Sequence, residues 1–185
     1  MLSALRRCLK SERLDADIFD IVFYGSAARG ARNPHDVDIV VIFRIGSLRE
    51  RLQKVQLLKK KIKIPGVFDI KGILFDELFH PDFFARSGIF LDGVSIFDGL
   101  PFSTKIGFEG AVLFFYQLKE KSHTAKVKFN YVLRGRQGKG IIALLGAVRI
   151  APGVIRVTTS RSSEFEDVLR LHEVSYSSLS VLIRL

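Results

Sequence analysis

Asp36 and Asp38 stand one residue apart at the head of an apolar run ending at Phe43, and their type and spacing are the most chemically suggestive in the chain. Side chains of a strand alternate with period two, so both carboxylates project from one face. Oxygen donors placed in that way hold hard cations, Mg²⁺ first and Mn²⁺ as an alternative. Ahead of them, Gly25-Ser26 ends the apolar run Ile18 to Tyr24, with nine residues between Ser26 and Asp36. A small turn between strand and helix presents backbone N–H groups and a hydroxyl to a phosphate. An Asp-x-Asp pair alone is common on metal-free surface turns; the order of strand, Gly-Ser turn, helix and carboxylate strand is what points to function.

That order resembles the signature of the nucleotidyltransferase superfamily related to DNA polymerase β, most closely its minimal prokaryotic members. Gly25, Ser26, Ala28, Arg29 and Gly30 fit a Gly-Ser-x-Ala-Arg-Gly pattern, and Asp36-Val37-Asp38 fits the family's Asp-x-Asp. His35 departs from it, standing where the family usually has Ser. The resemblance implies a third carboxylate on a neighbouring strand, and Asp69 in Val67-Phe68-Asp69-Ile70 fits that place. It further implies a metal-dependent enzyme that moves a nucleoside monophosphate from a nucleoside triphosphate, ATP among them, to a hydroxyl acceptor with loss of pyrophosphate. Asp36, Asp38 and Asp69 would be the catalytic and metal-binding residues, and Gly25, Ser26 and Arg29 would hold the nucleotide's phosphates. A protein acceptor, such as the helical toxin partner some small members modify, is one expectation. The alternative expectation is a catalytically silent module of the same fold, binding nucleic acid or acting in an antitoxin-like way. Glycosyl transfer also uses Asp-x-Asp with a divalent cation, but that chemistry has no need of Asp69 and no counterpart to the Gly-Ser turn.

The elements that must position these groups can be read from hydrophobic period. Leu2, Leu5 and Leu9 suggest a short amphipathic helix, Ile18 to Tyr24 and Asp36 to Phe43 two strands, and Asn33-Pro34 a break between them. Ser47 to Lys63 has Leu48, Leu52, Val55, Leu58 and Ile62 at helical spacing, which predicts a helix with those five on its core face. Its basic end, Lys59 to Lys61, suits the C-terminal dipole. A strand Val67 to Leu74, a helix around Asp76 to Ala85 and a strand Gly93 to Phe97 follow, the last also similar to the closing strand of the small members. The resemblance spans roughly residues 1 to 100. The expected fold class is α/β (α+β): a mixed-sheet nucleotidyltransferase domain flanked by helices over residues 1–102, then a smaller basic α+β domain over 103–185. The boundary is placed at the turn Asp98-Gly99-Leu100-Pro101.

In the second part, Ala111 to Leu118 fits a strand or a buried helix, the strand being the expectation; Lys126 to Leu133 and Ile141 to Leu145 read as helices, and Pro152-Gly153 opens a strand through Thr158. Ser163 and Glu166 predict a capping box opening a helix, and a last strand begins at Ser178. Charge divides unevenly, net +3 before Phe102 and +7 after it, within a chain of 185 residues and net charge +10. Between Lys119 and Lys139 seven cations stand against one acid, with Phe129 and Tyr131 interleaved, so nucleic acid is an expected partner. Phe129 has the spacing of a core residue. Arg134 to Gly140 is rich in glycine yet lacks the Gly-Lys-Ser/Thr of a Walker loop. The content of apolar residues, 48%, excludes a disordered chain. Cys8 alone makes no disulfide framework, no membrane span or secretory signal is readable, and a cytoplasmic location is expected.

Overall fold

Leu5 and Leu9, four residues apart on helix α1 (Leu2–Leu9), are both buried, which fixes the helix against the sheet that follows. After a 3₁₀ turn (Lys10–Leu14) the chain enters strand β1 (Ile18–Tyr24), a single turn of helix α2 (Gly25–Ala28), and strand β2 (Val37–Phe43). The computed structural model describes residues 1–29 and 35–185. Gly30 and the expected break at Asn33-Pro34 lie outside the described residues. Helix α3 (Leu48–Lys61) leads to strand β3 (Phe68–Leu74), a 3₁₀ turn (Asp76–Phe79), helix α4 (Arg86–Asp92), strand β4 (Val94–Ser95) and helix α5 (Phe102–Lys105).

The first sheet has the order β3-β2-β1-β4. It is mixed: β1 pairs antiparallel with β2 and β4, whereas β2 and β3 run parallel. Ile21, Phe23, Ile39, Val41 and Phe43 pack on one face with Leu5, Leu9, Val55 and Leu58 from α1 and α3. Val22, Tyr24, Val40 and Ile42 pack on the other with Leu78, Ile89, Phe90 and Phe102. Burial on both faces is why β1 and β2 read as unbroken apolar runs instead of alternating ones. Much of the phenylalanine content lies here, in a chain of rings Phe19, Phe75, Phe79, Phe90 and Phe102 whose neighbouring centroids are 4.7 to 6.3 Å apart.

Two sequence expectations are corrected in this unit. On α3 the buried residues are Arg51, Val55 and Leu58, while Leu48 and Leu52 are 61% and 54% exposed. The apolar face is rotated because Arg51 pairs with Glu77 at 2.7 Å, and Glu77 also accepts the Leu74 backbone N–H at 2.7 Å. A charge paired in this way can occupy a core position on a helix whose leucines predict another face. Gly72 allows the close approach, since a Cβ there would stand 2.9 Å from Val55 and 3.1 Å from Phe43. The expected helix Asp76 to Ala85 is only the 3₁₀ turn, followed by non-helical residues around Pro81; α4 starts at Arg86.

The chain folds as two compact units, Met1–Phe108 and Glu109–Leu185. The turn at residues 98–101 lies within the first, where Val94 bridges Pro101 and Phe102 is fully buried. The second unit is built from strand β5 (Phe108–Gln117), helix α6 (His123–Arg134), a 3₁₀ turn (Arg136–Gly138), helix α7 (Ile141–Leu144), strands β6 (Val148–Ala151) and β7 (Val154–Thr158), helix α8 (Ser162–Leu171) and strand β8 (Ser175–Arg184). Its sheet has the order β6-β7-β5-β8, with Val112, Phe114, Tyr116, Ile155 and Val157 on the core face against Phe129, Leu133, Phe165 and Leu169 of α6 and α8. The expected capping box is absent: Ser163 lies inside α8, and Glu166 instead pairs with Arg170 and accepts the Tyr176 hydroxyl. Strand β6, which forms a hairpin with β7 across Pro152-Gly153, was not expected, and β8 starts three residues before Ser178.

Candidate active site

Three strands meet in one row at one end of the first sheet. Tyr24, last in β1, is the register partner of Asp38 in β2, and Asp38 is in turn the register partner of Asp69 in β3. Because β2 and β3 are parallel and in register, the two carboxylates share the face that carries Tyr24, Val40 and Ile42. Asp36, two residues before Asp38, immediately precedes β2. Antiparallel pairing of β1 with β2 brings the end of one strand back to the start of the next, so the Gly25 turn arrives beside the carboxylates.

Gly25 has φ of +79°, a backbone region that side chains disfavour. A Cβ built there would lie 2.1 Å from Oδ2 of Asp38. Glycine is required twice, once by conformation and once by the carboxylate pressed against it. Ser26 follows in α2 and is half-buried. Arg29 makes an ion pair of 2.9 Å with Asp92 at the end of α4, which holds the guanidinium near enough to act on Asp38.

Electrostatics record the convergence. Burial pushes the Asp38 carboxyl above its ordinary range, and the neighbouring charges of Asp36 and Asp69 push it further, against the pull of Lys71 and Arg29. The Tyr24 hydroxyl is driven up to about 12, by burial first and then by Asp38, Asp69 and Asp36. Asp36 and Asp69 therefore each make it costlier for Asp38 to carry its own charge. Among the described residues, no group of three or more His, Cys, Asp or Glu side chains is drawn together into a formed metal site. Part of the countercharge comes from Lys71, whose Nζ is 3.2 Å from Asp69 Oδ2.

Lys71 and Asp92 were not anticipated from sequence. Lys71 lies two residues after Asp69 on the same strand, so alternation alone would have put it on the carboxylate face. Asp92 carries no sequence signal, because its meeting with Arg29 depends on where α4 packs. Tyr24, read as core, is buried and also borders the site. His35 is an exposed residue before the strand, consistent with a loop role.

The first unit thus has a mixed sheet covered by helices on both faces, with carboxylates at one end beside a Gly-Ser turn. Residues 2–77 match the nucleotidyltransferase domain family, so this part of the chain is related to the superfamily of DNA polymerase β. The match runs from α1 to the 3₁₀ turn after β3 and contains Gly25, Ser26, Asp36, Asp38 and Asp69. Comparison with curated proteins found no match. No helix among the described residues is long and apolar enough to cross a membrane.

Proposed function

We propose that the first unit is a metal-dependent nucleotidyltransferase acting on a nucleoside triphosphate and a hydroxyl acceptor. The observation that carries this reading is the register pairing of Asp38 with Asp69, with Gly25 packed against Asp38 and Asp36 two residues away. The donor set is all oxygen and its charges repel, which suits Mg²⁺ or Mn²⁺ at Asp36, Asp38 and Asp69. When bound, the cation would supply charge neutralisation to the triphosphate and to the attacking oxygen.

The chain's own groups supply the remainder. Gly25 and Ser26 bind phosphate oxygens through backbone N–H groups and the Ser26 hydroxyl, and their rigid turn orients the α-phosphorus. Arg29, steadied by Asp92, and Lys71 bring positive charge to the phosphates. Asp69 orients the acceptor hydroxyl and takes its proton while that oxygen bonds to the α-phosphorus, the bond to the bridging oxygen breaks and pyrophosphate leaves with that electron pair. Tyr24, uncharged at any physiological pH, closes the inner wall without adding a fourth negative charge.

Calorimetric titration of ATP, GTP, CTP and UTP with Mg²⁺, on the native chain and on Asp36→Asn/Asp38→Asn, tests the reading without the acceptor. Metal-dependent binding of at least one nucleotide, abolished by the double substitution, is expected. Absence of binding to all four, with or without Mn²⁺, overturns it.

A further inference from the structure

Helix α6 buries Phe129 and Leu133 and turns a different face outward, where Val127, Tyr131 and Arg134 recur at helical spacing with Lys128 beside them. Tyr131 is 50% exposed, whereas Phe129 is 2% exposed, so of the two aromatics in this basic stretch only the tyrosine is available to a partner.

The segment that follows is a built projection. Gly135, at φ +67°, ends the helix, and the Gly140 N–H donates to the Arg134 carbonyl at 3.0 Å, closing the loop. A Cβ on Gly135 would stand 2.3 Å from the Gly140 nitrogen, and one on Gly140 would stand 2.3 Å from the Leu133 oxygen. Only two glycines permit that neck, and the loop beyond it carries Arg136 and Lys139, both exposed. From β6, Arg149 is the register partner of Ile155, whose face of the sheet packs against Phe129 and Leu133, so it belongs to the side of the sheet that α6 covers.

None of Lys128, Arg134, Arg136, Lys139 and Arg149 has an ion-pair partner among the described residues. Three of the unit's six acids are engaged elsewhere: Glu164 and Glu166 on α8 pair with Arg161 and Arg170, and Glu173 pairs with Lys121. These five cations are exposed and so is Tyr131, the aromatic ring of the same stretch. Unpaired cations beside a stacking platform suit a single strand, whose bases are free to stack; a duplex hides its base faces.

We propose that residues 109–185 bind single-stranded nucleic acid, with Tyr131 stacking on a base and Lys128, Arg134, Arg136, Lys139 and Arg149 neutralising phosphates. This binding does not depend on the first unit's chemistry.

Fluorescence anisotropy of the full chain with a labelled single-stranded oligonucleotide, as RNA and as DNA, tests it beside the same sequence as duplex and beside inorganic polyphosphate. Five phosphate contacts give a log–log salt slope of about −3.5, which falls to about −2 in Arg136→Ala/Lys139→Ala. Tyr131→Ala weakens single-strand binding about tenfold, and Tyr131→Phe restores it. All these side chains are exposed, and circular dichroism verifies that the variants fold. No binding at about 50 mM salt, duplex or polyphosphate bound as tightly as the single strand, or indifference to Tyr131→Ala overturns the proposal. A chain that binds nucleotide but no oligonucleotide refutes this inference alone, and the converse result refutes only the transferase reading.

Discussion

At Asp38 the demands of folding and of chemistry oppose one another. Its carboxylate is half-buried, faces Asp69 across the ladder, has Asp36 two residues away and lies against the backbone of Gly25. Asp38→Asn removes one negative charge from three and should raise stability by about 0.5–1 kcal/mol, as relief of strain in active sites commonly does. The same variant should lose metal-dependent nucleotide binding. Urea unfolding with the calorimetric titration reads both effects, and a variant that loses binding because it is less stable would contradict the argument. Gly25→Ala probes the same contact from the opposite side: its Cβ cannot coexist with Oδ2 of Asp38 at 2.1 Å. Nucleotide binding should fall at least tenfold while Asp38→Asn binding is already absent, and a fully active Gly25→Ala would show that the turn does not cradle the carboxylate. Sequence made these residues visible because a two-residue spacing on a strand, unlike a tertiary contact, is written in the order of the chain. Lys71 was equally legible by that rule, whereas the Arg29–Asp92 pair was not, since 63 residues and the placement of α4 separate its members.

The elements follow a similar division between local and tertiary causes. Strands β1 and β2 coincide with their apolar runs, and α3 begins where Ser47 and Glu50 form a reciprocal capping box. The face that α3 buries differs from the one its leucines predict, because apolar spacing has no way to show that Arg51 would be neutralised by Glu77. The same Ser-x-x-Glu spacing at Ser163 and Glu166 is not a cap, since Glu166 is taken by Arg170 and Tyr176. A second buried charge, Asp20 in β1, also had no sequence signal: it is fully buried, 2.7 Å from Lys105 of α5 and hydrogen-bonded to Ser95 of β4. Burial raises its pKa, while Lys105 and Ser95 oppose the rise. A raised folded pKa means that this group favours the folded state below its ordinary 3.8 and loses that contribution as pH rises through the raised value. Lys105→Met should therefore cost about 3 kcal/mol near neutral pH, where Asp20 is left charged and unpaired. The deficit should shrink on acidification as Asp20 takes up its proton and Asp98, the other partner of Lys105, does the same. Urea unfolding across a pH series checks the sign, and a deficit independent of pH would assign the loss to packing.

For the whole molecule, the two units differ in charge as well as in core. Residues 1–108 carry net +4 and residues 109–185 net +6, the smaller unit being the more basic. Each has a hydrophobic cluster drawn from its own elements, one around β1 and β2 and the other around β5 and β7. A ligand that binds only the folded first unit stabilises it by mass action, by about 2.7 kcal/mol at a hundredfold excess over Kd. If the carboxylate row is the nucleotide site, that stabilisation should be confined to the core that holds it. Hydrogen exchange measured with saturating Mg²⁺ and the preferred nucleotide should show slower exchange in β1, β2, β3 and α4. Amides of β5, β6, β7 and β8 should exchange as in the free protein, because their opening is governed by the second cluster. A single-stranded oligonucleotide should produce the reverse pattern, slowing α6 and the Arg134–Gly140 loop while leaving β2 and β3 unchanged. Nucleotide protection that spreads evenly over both sheets would mean that the chain opens as one cooperative body, and the assignment of separate tasks to separate cores would fall.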